Sequence, residues 1–201
     1  MLHEIVFATN NQHKLEELRR IVGDRLTIRS LAEIGCHDDI PETADTLEGN
    51  AAIKAEWVRE RYGYDCFADD TGLEVDALAG EPGVLSARYA GPAHDSEANM
   101  ALLMKRMEGV ADRSARFRTV IALAVGDRDI ELMDGTVYGH IAEAPAGTAG
   151  FGYDPVFVPD GCAGLTFAQM DADAKNAVSH RGRATAKLVR RLSEIYGQQS
   201  I

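Results

Sequence analysis

The chain has 201 residues and carries 21 Lys+Arg against 32 Asp+Glu, a formal net charge of −11. That length suits one domain with a sizeable core or two closely coupled lobes, and 45% hydrophobic with 26% charged residues excludes a disordered or fibrous chain. So acidic a balance argues against wrapping nucleic acid or lying on an anionic membrane, although a local basic pocket or a bound divalent cation can still receive an anionic ligand.

Leu2 to Ala8 reads as a buried strand, broken by the turn and N-cap residues Thr9, Asn10 and Asn11. From Lys14 the apolar spacing Leu15, Leu18, Ile21, Val22 predicts a helix that Gly23 closes. A short strand is expected near Leu26–Ser30. A second helix runs from about Thr46 to Tyr62, with Leu47, Ala51, Ala55 and Val58 on one face. Between them, His37 to Glu48 holds Asp38, Asp39, Glu42, Asp45 and Glu48 and no Lys or Arg.

Asp65 to Ala68 reads as a strand ending abruptly at Asp69-Asp70-Thr71-Gly72. Leu73 to Leu78 alternates like a strand, with a helical turn as the other reading. Gly80 to Pro92 reads as a Gly/Pro-rich loop, and Asp95 to Met107 as a helix capped by Asp95 or Ser96. Two long strands, Ala115–Val125 and Ile130–Ile141, flank the turn Gly126-Asp127-Arg128-Asp129. Glu143 to Pro159 reads as loop, and a last helix spans about Ser179 to Tyr196 with a tail from Gly197. Helices and strands alternating at the start, followed by a hairpin, predict an α/β fold on a mixed sheet.

The three cysteines, Cys36, Cys66 and Cys162, are scattered and form no CxxC pair, so neither a disulfide framework nor a structural zinc site is expected. The opening MLHEIVFATNN lacks the basic and apolar regions of a signal peptide, and no stretch reaches the ~18 apolar residues of a membrane span. A cytoplasmic protein is the expectation.

Four segments have the residue types for chemistry. Thr9, Asn10, Asn11, Gln12, His13 and Lys14 lie between a strand and a helix start, where unpaired N–H groups and the positive dipole end suit phosphate. A capping turn with a solvated lysine is the plainer alternative. Lys14 in a first helical turn opposes the dipole and calls for an anion nearby. Glu42 with Asp69 and Asp70 forms the second segment: carboxylates side by side repel, and a hard cation is a common remedy. An acidic turn with capping duties is the other reading.

The third is Gly147-Thr-Ala-Gly-Phe151-Gly152-Tyr153-Asp154-Pro155, whose glycines permit close approach to a flat ligand, whose aromatic rings could stack on a base, and whose Asp154 or neighbouring backbone could read a base edge; a tight loop with two core aromatics is the plainer alternative. The fourth, Lys175 to Arg191, carries six Lys and Arg residues and no acid. Lys187, Arg190 and Arg191 fall where a helix dipole welcomes cations and read as solvated surface. Lys175, His180 and Arg181 fall where it does not, and so point at an anion. Together the segments describe a site for a nucleoside polyphosphate and a divalent metal.

The chain resembles the inosine/xanthosine triphosphate pyrophosphatases. The carrying motifs, in order, are Phe-Ala-Thr-Asn-Asn-Gln-His-Lys14, Ile-Pro-Glu42-Thr, Glu-Gly-Asn50-Ala-Ala-Ile-Lys54-Ala and Ala-Asp-Asp70-Thr71-Gly-Leu. Pro-Gly-Val-Leu-Ser-Ala-Arg88-Tyr, Gly-Phe151-Gly-Tyr-Asp154-Pro and Lys175-Asn-Ala-Val-Ser-His180-Arg181-Gly complete the set, which spans residues 5 to 183. The resemblance implies a long mixed sheet flanked by helices, two lobes around a central nucleotide-binding cleft, one catalytic domain over residues 1–201 and a homodimer. It also implies Mg2+-dependent hydrolysis of ITP, dITP or XTP to the monophosphate and pyrophosphate.

Carried over by motif, Thr9 to Lys14 contact the triphosphate, and Lys175, His180 and Arg181 close on the nucleotide. Phe151, Gly152, Tyr153 and Asp154 hold the base, and Thr71 contacts substrate. Asp70 is the acidic catalytic residue and a metal ligand, with Glu42 as a further ligand; because a bound cation weakens its ligand as a base, Asp69 or Glu42 is the alternative base on chemical grounds. A Maf-like pyrophosphatase is disfavoured because its Ser-Pro-Arg-Arg opening is absent. A nucleic-acid module built on the Arg181–Arg191 helix is opposed by overall acidity. A catalytically dead nucleotide sensor is opposed by the presence of Lys14, Glu42, Asp70 and Lys175.

Overall fold

A computed structural model describes residues 4–197; the expected strand start at Leu2 and the tail beyond Gly197 lie outside the described residues. The first strand, β1 (Glu4–Phe7), buries Ile5, Val6 and Phe7 on both faces, as a strand between two parallel neighbours must. Those neighbours are β2 (Thr27–Arg29), with Ile5 opposite Ile28, and β3 (Cys66–Val75), with Phe7 opposite Phe67. The sheet continues with β4 (Ser114–Ala124), β5 (Glu131–Ile141) and β6 (Phe157–Pro159) in the order β2-β1-β3-β4-β5-β6. β6 runs antiparallel to β5, so the sheet is mixed, as the strand pattern predicts.

The helices are α1 (Gln12–Val22), α2 (Leu47–Tyr62), α3 (Ser96–Arg106), α4 (Ala172–Val178) and α5 (His180–Tyr196). Their starts are set by side-chain caps: Asn11, Thr46, Asp95 and Asp171 each accept a backbone N–H of the first turn. At the end of α1, Gly23 takes φ +59°, a conformation that carries no Cβ penalty in glycine.

Three elements depart from the sequence reading. β3 does not stop at Ala68 but passes straight through Asp69-Asp70-Thr71-Gly72 to Val75. Two adjacent acids look like a strand end only if their charges must reach water, and here cations inside the protein meet them. Gly72 is needed within that strand because a Cβ there would sit 2.7 Å from the Gly83 carbonyl oxygen. The expected loop 143–159 closes with β6, too short and proline-ended to show a strand period. The short helix α4 has no counterpart in the sequence reading, whereas α5 starts at His180 much as expected, with Ser179 extended (φ −71°, ψ 158°) between the two.

The described chain divides into two compact units, the first made of residues 4–70, 119–135 and 181–197 and the second of 71–118 and 136–180. In the first, β1, Phe67, Ile121 and Leu123 pack against Leu15 and Leu18 of α1 and Leu188 and Leu192 of α5. In the second, Leu73, Leu103, Phe117, Tyr153, Phe157 and Phe167 form the core. Among the described residues, no helix is long and apolar enough to cross a membrane.

Candidate active site

In the first unit, β3 carries Asp69 and Asp70 to the interior, with exposures of 1% and 8%. Their side chains point to opposite faces of the strand, as successive strand residues do, and cations meet both. Lys14, in the first turn of α1, donates from Nζ to Asp69 Oδ1 at 2.9 Å, and Arg181 Nε of α5 lies 3.6 Å from Asp69 Oδ2. The anion that both cations require at their helix starts is therefore Asp69, with Glu17 of α1 as a second partner of Arg181. Asn11 accepts the Lys14 backbone N–H, and Thr9 Oγ accepts that of Asn11, so the turn before α1 is fixed by its own side chains. Asn10, Asn11, Gln12 and His13 are exposed on that turn.

Burial works against the charged form of Asp69, but Lys14, Arg181 and Lys54 outweigh it and hold the carboxyl at a pKa of about 2. Lys14 is lowered as well, because its own burial, with Lys54 and Arg181 nearby, outweighs the attraction of Asp69. On the other side of β3, Asn50 Nδ2 donates to Asp70 Oδ2 at 3.1 Å. Lys54 Nζ donates to Glu42 Oε1 at 2.8 Å and lies 3.8 Å from Asp70 Oδ1. Burial raises the Asp70 pKa, and the like charge of Glu42 adds to it. Burial also opposes the Lys54 charge, yet Asp70, Asp69 and Glu42 together raise its pKa above the ordinary value.

The second unit holds a cluster of its own. Asp154 Oδ2 accepts from the Phe151 backbone N–H at 2.8 Å and from Lys175 Nζ of α4 at 2.7 Å. Lys175 also lies over the Phe151 ring at 5.2 Å and the Phe167 ring at 5.7 Å, cation–π distances for a desolvated ammonium. The expected pair of stacking aromatics is divided by burial: Phe151 is half-buried, whereas Tyr153 is in the core with its hydroxyl donating to the Ser86 carbonyl at 2.9 Å. His180 is 3% exposed and stacks on Phe117 at 4.5 Å with ring planes 13° apart. Gly152 takes φ +62°, and Thr71 is half-buried on β3.

Lys54, Asn50 and Glu17 were not among the residues expected to form the site. Their signal is readable after the fact: α2 buries Leu47, Asn50, Ala51, Lys54, Ala55 and Val58, so two polar side chains one turn apart interrupt an apolar stripe. Of the surface cations, Lys187 and Arg191 pair with Asp134 and Glu131, as a solvated face would.

Glu42 and Asp70 fit a hard divalent cation. Both are oxygen donors, and both already converge on one positive atom, the Lys54 ammonium. Among the described residues no group of three His, Cys, Asp or Glu side chains forms a closed cage. Magnesium suits such an open set, since it usually takes one or two carboxylates and leaves its other positions to water and substrate phosphates.

Residues 5–191 match the model of the Ham1 family. The chain belongs to that family. It is 52% identical to a dITP/XTP pyrophosphatase of Porphyromonas gingivalis, over 93% of this chain and 96% of the relative. A dITP/XTP pyrophosphatase of Flavobacterium johnsoniae is 50% identical, over 92% of this chain and 96% of the relative. The solved structure of the Staphylococcus aureus Ham1 protein superposes with a TM-score of 0.86 at 39% identity, covering 95% of this chain and 98% of that one. The mixed α/β fold expected from the sequence is therefore the Ham1 fold.

Proposed function

We propose that this Ham1 protein hydrolyses non-standard purine nucleoside triphosphates, ITP, dITP and XTP, to the monophosphate and pyrophosphate. It is a hydrolase acting on an acid anhydride, and its relatives are named for that activity. The observation that carries the reading is the buried cluster on β3, where Lys14 and Arg181 flank Asp69 while Glu42 and Lys54 flank Asp70. A buried set of paired charges this dense has little to offer folding stability and much to offer a polyanionic substrate.

Water attacks the α-phosphorus, the α–β anhydride breaks, and pyrophosphate departs. Asp70 is the carboxylate that orients the water, and Asn50 fixes its plane through Oδ2. Asp69, at about 2, is too weak a base and instead positions Lys14 and Arg181. Lys14 and the turn Thr9, Asn10, Asn11, Gln12, His13 at the start of α1 receive the phosphates. Glu42 and Asp70 would hold Mg2+, which supplies charge neutralisation on the phosphate oxygens.

On the base side, Phe151 offers its face for stacking, with Gly152, Tyr153 and Asp154 shaping the loop and Lys175 held against the ring, and Thr71 contacts the substrate. His180 and Arg181 are the donors suited to a 6-oxo purine. We further assign the enzyme to the cytoplasm and to a homodimer, which light scattering of the purified chain would test.

The deciding experiment measures pyrophosphate and orthophosphate released from ITP, XTP, GTP and ATP with Mg2+, alongside Asp70→Asn. Pyrophosphate from ITP and XTP, little from GTP or ATP, and a dead variant are expected. Orthophosphate alone would place cleavage at the γ-position and overturn the reading.

A further inference from the structure

The proposed reaction gives Lys54 no step of its own, yet it lies between two of the site's carboxylates. Its side chain is 9% exposed, and α2 delivers it one turn beyond Asn50, directly between Glu42 and Asp70. Those are the two carboxylates proposed to hold Mg2+. An ammonium and a divalent cation cannot both occupy the point where the two carboxylates converge.

We infer that Lys54 is the resident cation of the metal site: it holds Glu42 and Asp70 in the nucleotide-free protein and releases them only when metal arrives together with a triphosphate, whose oxygens then take its ammonium. This rests on the reading of Glu42 and Asp70 as the metal ligands.

The charges favour that order. Glu42, Asp70 and Lys54 sum to −1, and Glu17, Asp69, Lys14 and Arg181 sum to zero, so the seven groups together carry only −1. Without Lys54, two carboxylates would stand side by side, one of them buried, and would attract any free divalent ion. With Lys54 in place, an ion arriving alone must break a 2.8 Å charge-assisted hydrogen bond and leave a buried ammonium uncompensated. An ion arriving on a triphosphate brings the replacement anion with it. Lys54 then exchanges a carboxylate oxygen for a phosphate oxygen, and no buried charge is stranded.

Metal and nucleotide binding are consequently coupled with positive sign, and by linkage each tightens the other. Lys54 is the residue that makes the coupling, because it is the price of entry for metal alone. Its removal therefore strengthens metal binding to the free protein even as it weakens the enzyme.

Mn2+ provides a probe visible by electron paramagnetic resonance. Wild type, Lys54→Gln, Lys54→Met and Lys54→Arg are titrated without nucleotide, with folding checked by circular dichroism. Lys54→Gln and Lys54→Met should bind Mn2+ at least about tenfold more tightly than wild type, as loss of a positive charge a few ångströms from the ion requires. Lys54→Arg, which keeps a cation between the carboxylates, should stay as weak as wild type. Adding Glu42→Gln to Lys54→Gln should erase the gain. Equal Mn2+ affinity in wild type and both neutral variants overturns the proposal. So does sub-micromolar Mn2+ binding by nucleotide-free wild type, a result that needs no variant to fold. Failure of the metal reading itself looks different: no protein, wild type or variant, would take up Mn2+ even with the non-hydrolysable α,β-methylene analogue of ITP present.

Discussion

Lys14 and Asp69, 55 residues apart in sequence, meet at 2.9 Å in the interior, and the lysine ammonium cancels a charge that would otherwise break β3. This contact, reinforced by Arg181 on the second carboxylate oxygen, lets two consecutive aspartates stand inside a strand and face opposite ways. Ion pairs of this kind contribute little net stability when intact, but removing one partner strands the other.

Asp69→Asn should therefore cost about 3–5 kcal/mol of stability at neutral pH, measured by urea denaturation. The pH dependence has a definite sign. The folded pKa of about 2 lies below the ~3.9 of an unfolded aspartate, so the Asp69 contribution is complete above that unfolded value. It is lost as pH falls through the folded pKa. The wild-type advantage over Asp69→Asn should be constant near neutrality and shrink between about pH 4 and 2. An advantage that shrinks instead toward alkaline pH would contradict the assignment of the charge to Asp69.

Phe151 is the half-buried aromatic of its loop, with Lys175 at 5.2 Å from the ring. Stacking on a base is worth about 1–3 kcal/mol, so Phe151→Ala should raise KM for ITP roughly five- to hundredfold with a smaller effect on kcat. Phe151→Tyr, which keeps the ring, should retain most of the affinity. Steady-state kinetics on both variants checks this, and an unchanged KM in Phe151→Ala would remove Phe151 from base recognition.

Tyr153 does a different job two residues away. Its hydroxyl reaches the Ser86 carbonyl, while Ser86 Oγ accepts the Leu73 N–H of β3 at 2.9 Å and donates to the Gly83 carbonyl. Tyr153→Phe leaves that buried carbonyl one donor short and should lower stability by about 1–3 kcal/mol in thermal or urea denaturation. Its effect on KM for ITP should be smaller than that of Phe151→Ala, since the Tyr153 ring is in the core.

The polar motifs were legible in the sequence because chemistry leaves distinctive residue types behind: Lys14, Glu42, Asp70, Asp154 and Lys175 all fall in the clusters described. What each one touches was not legible. In the sequence Asp154, or the backbone beside it, reads as a contact to a base edge; that its Oδ2 holds Lys175 and the Phe151 N–H is visible only in the structure. Tyr153 looked equivalent to Phe151 until burial separated them. The continuation of β3 through Asp69 and Asp70 depends on cations supplied by α1, α2 and α5, and no local propensity can announce partners that distant. Lys54 was hidden for the opposite reason, since a lysine on a helix is ordinarily a solvated one.

Cys66 offers a test of the interior that is independent of the site. Burial pushes its thiol up to about 12, with its Sγ directed at the Ala55 carbonyl, so it stays protonated at any working pH. Iodoacetamide at pH 8 should leave Cys66 unmodified in the native protein while labelling the half-buried Cys162, as read by peptide mass spectrometry. Unfolding in urea should expose Cys66 to the same reagent. Native-state labelling of Cys66 ahead of Cys162 would contradict the packing of β3 against α2.

Gly150 is a position in the loop of Phe151 that tolerates no side chain. Its φ is +75°, and a Cβ would collide with Asp154 Oδ2 and stand 2.9 Å from Asp154 Cγ. That oxygen is the one shared by Lys175 and the Phe151 N–H, so the carboxylate cannot yield without releasing both. Gly150→Ala should accordingly cost about 1–3 kcal/mol in stability from strain and the loosened ion pair. It should also lower kcat/KM for ITP by about tenfold or more through misplacement of Lys175 and Phe151. Gly161→Ala serves as the control: it shares a positive φ of +77°, but its Cβ would meet nothing within 4 Å. It should show the backbone cost without the catalytic one. Equal loss of kcat/KM in the two variants would mean that strain alone, and not the Asp154 contact, is what the loop glycine protects.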